Sequence, residues 1–153
     1  MLDKSSNFER NELLTVGYEG SDIETFISRL LSEGVEKIVD VRELPLSRKR
    51  GFSKNKLREA AAEVGIEYVH LKSLGDPKEG RLAARAGKYD LFRQVFNEHM
   101  KTDEAQEGLR LLGQIVDEHR ACLMCFERNH EGCHRHIVVD QLLAMKEIDV
   151  RHI

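Results

Sequence analysis

Apolar residues along this chain fall into short continuous runs separated by longer stretches in which they recur every third or fourth position. The first rhythm suits buried strands and the second suits amphipathic helices, and the two alternate from one end to the other. Leu13-Leu-Thr-Val16, bounded by Gly17 and Gly20, predicts a strand. Ile23, Phe26, Ile27, Leu30 and Leu31 then line one helix face, which opens at the capping-box spacing Ser21-Asp-Ile-Glu24 and stops at Gly34. Lys37-Ile-Val-Asp-Val41 predicts a second strand. After a basic, turn-rich loop over residues 42 to 51, Ser53 caps a helix through Val64 that Gly65 ends. Residues 66 to 71 predict a third strand. From 72 to 88 the pattern is broken by Gly75, Pro77, Gly80 and Gly87, so an irregular loop with at most a short helix is expected. Helical periodicity returns over residues 89 to 99 and 103 to 118. Residues 121 to 126 are almost continuously apolar, the mark of a strand buried on both faces of a parallel sheet. A helix begins at His134, and residues 148 to 153 predict a short strand at a sheet edge.

This alternation of strands and helices, joined by right-handed crossovers, predicts a three-layer α/β sandwich with a mainly parallel five-stranded sheet. The simplest strand order is 3-2-1-4-5. The fold is then Rossmann-like without a dinucleotide motif, since neither Gly-x-Gly-x-x-Gly nor a Walker A sequence follows any strand, and no cofactor is expected. That order puts a topological switch between strands 1 and 4, so the loops after strands 1, 2 and 4 are expected to meet in one crevice.

A length of 153 residues suits one domain, taken as residues 12–153, with residues 1–11 as a loose extension. A formal net charge of −3 gives no global attraction to nucleic acid or to a membrane, so any anion site must be local. No apolar run approaches the roughly 20 residues that span a bilayer, and the first residues lack the apolar core of a secretory signal. Three cysteines, an odd number, do not suggest a disulfide framework. Together these features predict a cytoplasmic protein with free thiols and no membrane partner; the oligomeric state is not readable.

The candidate chemistry is concentrated in Cys125-Phe-Glu-Arg-Asn-His-Glu-Gly-Cys133-His-Arg135, between the fourth strand and the last long helix. Cys133 stands where a helix N-terminus favours a thiolate, with His134 and Arg135 beside it, and reads either as a nucleophile or as a small packed residue. Glu127 reads as a base or as the anchor of an arginine. Asp40 and Arg42 share a face by strand alternation, which makes them a guanidinium aimed at a ligand or a structural ion pair. Ser47 and Arg48 lie in a basic stretch that suits phosphate, and Tyr18 and Arg135 join them as expected anion-binding residues, with Asp40, Cys125 and His134 in support. Cys122 and Cys125 have CxxC spacing but would point to opposite faces of a strand. Cys125, His130, Cys133 and His134 or His136 form a possible metal set whose spacing matches no standard zinc ribbon or finger. No metal site is expected from the sequence.

The chain also resembles the domain-of-unknown-function family numbered 488. The likeness runs through Thr15-Val-Gly-Tyr18, Asp40-Val-Arg42 with Pro45 and Ser47, Gly51-Phe52, Ile66-Glu-Tyr68, Leu74-Gly75, Leu123-Met-Cys125-Phe-Glu127 and Cys133-His-Arg135. The family pattern usually has a second glycine where this chain has Asp76. The resemblance implies an active site at Arg42, Cys125, Glu127, Cys133 and Arg135, and no particular reaction. The expected function is an enzyme, a cysteine-dependent hydrolase or transferase, acting on an anionic small molecule, a nucleotide or a nucleic-acid base. Arg42, Glu127 and Cys133 would be catalytic. The alternatives are a non-catalytic module that binds a nucleotide or nucleic acid, and a small zinc-binding protein.

Overall fold

Five short strands form one all-parallel sheet in the computed structural model, which describes residues 11–129 and 133–153. They are β1 (Glu12–Gly17), β2 (Lys37–Asp40), β3 (Glu67–His70), β4 (Ala121–Cys125) and β5 (Asp149–His152). Among the described residues six α-helices connect them: α1 (Ile23–Ser32), α2 (Lys54–Glu63), α3 (Lys78–Arg85), α4 (Tyr89–Met100), α5 (Asp103–Glu118) and α6 (His134–Leu143). The extension expected over residues 1–11 lies outside the described residues except for Asn11, whose carbonyl accepts from the Asp149 N–H. None of the described helices is long and apolar enough to cross a membrane.

Two apolar clusters sandwich the sheet, as the three-layer prediction requires. Phe26 and Leu30 of α1 and Leu57 and Ala61 of α2 pack with Leu14, Val16, Ile38, Cys122 and Met124. The opposite cluster joins α3 to α6 to Leu13, Val39, Leu123 and Cys125. Successive residues of a strand face opposite sides, and the central strands are buried on both: all five residues of β4, the middle four of β1 and the last three of β2.

The strand order is 3-2-4-1-5, which corrects the expected 3-2-1-4-5 by exchanging β1 and β4. The expectation assumed that strands consecutive in sequence lie side by side. Here the most apolar strand takes the middle instead. All five residues of β4 are buried, with β2 on one edge and β1 on the other, while the outer edge of β1 is covered by the largely exposed β5. The loop after β4 therefore emerges between the ends of β1 and β2. It is tied to both, since the Tyr18 and Glu19 N–H groups donate to the Cys125 and Phe126 carbonyls and the Val41 N–H donates to the Met124 carbonyl.

Two local expectations also change. The α1 cap is Asp22 and not Ser21, for Asp22 Oδ1 accepts from the Thr25 N–H at 2.7 Å. Ser53 does precede α2, but its hydroxyl accepts from the Ser47 N–H at 3.0 Å and donates to the Ser47 carbonyl at 3.2 Å, pinning the loop after β2. The punctuated segment 72–88 contains a 3₁₀ turn (Lys72–Leu74) and the eight-residue α3, whose Gly80 and Ala83 form a narrow buried stripe among charged residues.

Candidate active site

Gly17 is the residue that lets the site close. A Cβ at this position would lie 1.6 Å from the Glu127 carbonyl oxygen and 2.3 Å from its carbon, so only glycine allows the loop after β4 to pass over the end of β1. Tyr18, which follows, is buried with its ring stacked on Phe52 at 4.4 Å and Phe126 at its edge. Its hydroxyl accepts from Arg42 Nη1 at 3.3 Å.

Strand β2 delivers the buried pair Asp40 and Arg42 to one face, as alternation predicted. Arg42 Nε donates to Asp40 Oδ1 at 3.0 Å, Nη2 donates to Oδ2 at 2.8 Å, and Nη1 also reaches the Phe52 carbonyl at 2.7 Å. Burial opposes the arginine's charge, but the hydrogen bonds and charge of Asp40 outweigh it and raise its pKa. Tyr68 completes the carboxylate's shell by donating to Oδ2 at 2.5 Å. An ion pair held on this many sides is structural, with the guanidinium at the cavity wall and its charge balanced by Asp40 behind it.

Cys133 is the N-cap of α6, and its buried Sγ accepts from the Arg135 N–H at 3.4 Å. The buried ring of His134 bridges to β2. Its Nε2 lies 2.6 Å from the Val41 carbonyl, which can only accept, so Nε2 carries the proton. Nδ1 is then a bare acceptor, 3.5 Å from Cys133 Sγ. Burial keeps the imidazole neutral by lowering its pKa, with the Val41 bond opposing. Burial also pushes the Cys133 thiol well above its ordinary value, reinforced by Cys125 and Glu127 and opposed by the Arg135 N–H. The resting group is a thiol, and the helix terminus does not overcome its desolvation. Cys125, at the end of β4, points its Sγ to within 3.8 Å of Glu127 Oε1.

These side chains line a cavity of about 470 Å³. Tyr18, Arg42, Ser47, Cys125, Glu127, Cys133 and His134, all expected at the site, reach its wall, and Asp40 stands behind Arg42. Two expected anion-binding residues do not line it. Arg48 is exposed, and Arg135 is 1% exposed, with Nη2 donating to the Glu127 and Arg128 carbonyls at 3.1 and 3.3 Å. Arg135 holds the loop from behind, while its Nε and Nη1 have no hydrogen-bond partner. Among the described residues no arginine pairs with the Glu127 carboxylate. Cys122 and Cys125 join opposite clusters, so they diverge as expected. Of the earlier metal set, His130 lies outside the described residues and His136 turns to Asp140 at 3.4 Å.

Segment 72–88, long enough in the sequence to suggest a binding element, does form a wall of the cavity, but sequence reasoning missed Asp76 and Arg81 in it. Arg81 pairs with Glu43 and donates to the Asp76 carbonyl at 2.8 Å. Asp76 is buried, its Oδ1 has no partner, and Gly80 leaves the space that its carboxyl fills. Burial pushes the Asp76 pKa up to about 7, Arg81 opposing and Glu127 and Glu43 adding to the rise. The length of the segment was a signal for the region, and the departure from the family's glycine was a signal for Asp76 itself.

The family model DUF488, described as "Domain of unknown function DUF488", matches residues 22–142. The match covers most of the chain, and the chain belongs to this family. No curated protein and no solved structure matches it.

Proposed function

We propose that this member of a family without an assigned activity is a cytoplasmic enzyme acting on an anionic small molecule, a nucleotide or a nucleic-acid base. Cys133 is the nucleophile and His134 the base. The observation that carries the reading is the bare Nδ1 of His134, 3.5 Å from Cys133 Sγ, with its tautomer set by the Val41 carbonyl. A buried neutral thiol beside a neutral imidazole is activated by general-base transfer: as sulfur bonds to the electrophilic atom of the substrate its proton passes to Nδ1, and the bond to the substrate's leaving group breaks, that group departing with the electron pair and taking the proton back from Nδ1. The Arg135 N–H at the start of α6 stabilises the charge that develops on sulfur. Arg42 supplies positive charge for an anionic group, and Glu127 orients the substrate. Exposed Leu44, Leu46, Tyr89 and Phe126 at the cavity suit the flat apolar face of a base.

The test is site-resolved alkylation of the reduced, folded protein by iodoacetamide, read by mass spectrometry. Cys133 should label ahead of Cys122, which is fully buried. His134→Gln should slow that labelling by about a hundredfold, the order of a general-base contribution. Labelling of Cys133 that is no faster than that of Cys122, or that is indifferent to His134→Gln, would leave a non-catalytic binding module.

A further inference from the structure

The proposed chemistry uses Cys133 and leaves its neighbours Cys125 and Glu127 without a shared task. Among the described residues, the two Sγ atoms and a Glu127 carboxylate oxygen all lie within 4.8 Å of one another. All three cysteines are free, so no disulfide accounts for the approach. Strand β4 places Cys125, the two residues after it bring Glu127, and the first turn of α6 returns Cys133 to the same wall of the cavity.

We propose that Cys125, Glu127 and Cys133 bind one zinc ion, with the fourth position open to the cavity. Two thiolates and one carboxylate are the donor types that tetrahedral zinc accepts, whereas magnesium and calcium want oxygen alone. Zinc holds sulfur at about 2.3 Å and carboxylate oxygen at about 2.0–2.2 Å, so its ligand atoms stand roughly 3.5–3.8 Å apart. The three side chains reach that spacing by small rotations. Binding replaces both S–H protons, which leave to solvent, with S–Zn bonds.

A second observation points to an anionic neighbour at this place. Arg135 is a buried cation whose Nε and Nη1 have no hydrogen-bond partner, and it bonds the carbonyl of Glu127 through Nη2 while its own N–H points at Cys133 Sγ. Zinc with two thiolates and a carboxylate carries one net negative charge, which compensates that guanidinium. The Arg135 N–H is then the outer hydrogen bond that bound thiolates commonly receive. In the zinc form Cys133 is no longer available to His134, so metal occupancy and alkylation exclude each other. The site's affinity for zinc does not depend on the nucleophile reading being right.

The experiment is zinc titration of the reduced full chain in competition with a chromophoric chelator, with bound metal counted by mass spectrometry. One zinc per chain is expected. Cys125→Ser and Cys133→Ser should each weaken binding by on the order of a hundredfold, and Glu127→Gln by about tenfold, while Cys122→Ser changes nothing. Cobalt(II) added to the unmutated chain should develop thiolate charge-transfer absorption, a readout that survives any failure of a variant to fold. Binding below one equivalent, no such absorption, or affinity indifferent to Cys125→Ser would overturn the proposal. Zinc binding with an unreactive metal-free Cys133 sinks only the nucleophile reading, and fast labelling without zinc binding sinks only the metal site.

Discussion

Replacing Asp76 with asparagine should stabilise the protein, and more so as pH rises. The carboxyl is 6% exposed, with one oxygen lacking any partner, and its pKa is pushed from 3.8 up to about 7, chiefly by burial. Unfolded, the same group ionises at its ordinary value. Between those two pH values the folded state binds more protons, so stability falls as pH rises through the window and stays low above it. At 1.36 kcal/mol per pH unit the full cost of ionising Asp76 in place is roughly 4 kcal/mol, of which about 2.5 kcal/mol develops between pH 5 and pH 8. Asparagine has nearly the same shape and no charge to lose. Urea unfolding followed by far-UV circular dichroism, run on both proteins at pH 5 and pH 8, isolates the effect as a difference of differences. Other titrating groups, His134 included, cancel. The reasoning fails if the two proteins lose stability in parallel between those pH values, for Asp76 would then ionise as easily folded as unfolded.

Two further substitutions probe the frame of the site. Gly17→Ala sets a Cβ 1.6 Å from a backbone oxygen that cannot swing aside, so a loss of more than about 3 kcal/mol is expected by chemical denaturation; an unchanged midpoint would mean that the loop after β4 does not cross β1 there. Asp40→Asn removes the carboxylate that neutralises buried Arg42 and should cost roughly 3–5 kcal/mol, measured the same way, while replacing both residues with apolar ones should cost clearly less.

Much of this architecture can be read from residue pattern because the relevant forces are local. The period of the apolar positions places every strand and long helix within a residue or two, and Gly34 and Gly65 end their helices in the left-handed conformation that the sequence suggests. Strand order is different in kind. Which of two very apolar strands takes the middle of the sheet depends on what covers each edge, and β5, legible as an edge strand, carries nothing that says it covers β1. The site divides the same way. Asp40-Val-Arg42 shares a face by strand geometry alone, and Cys133 at a helix start follows from the apolar period of α6. The convergence of Cys125 with Cys133, the withdrawal of Arg135 to the back of the loop and the burial of Asp76 are all tertiary. Spacing along the chain grouped the two cysteines only as members of a wider possible metal set and held no trace of the place of Arg135, while a family departure marked Asp76.

The central position of β4 also bears on how the molecule is made. Leu13 and Lys37 both pair with Ala121, so the first two strands do not pair with each other and are joined only by a segment roughly a hundred residues downstream. A nascent chain that has produced β1, β2 and β3 can pair β2 with β3 but leaves β1 without a strand neighbour. The five-stranded sheet therefore closes only after β4 is made, a long-range pairing of the kind that slows folding. The same closure brings Cys125 and Glu127 between Gly17 and Val41, so the cavity wall that they share with Cys133 exists only once β4 and α6 are in place.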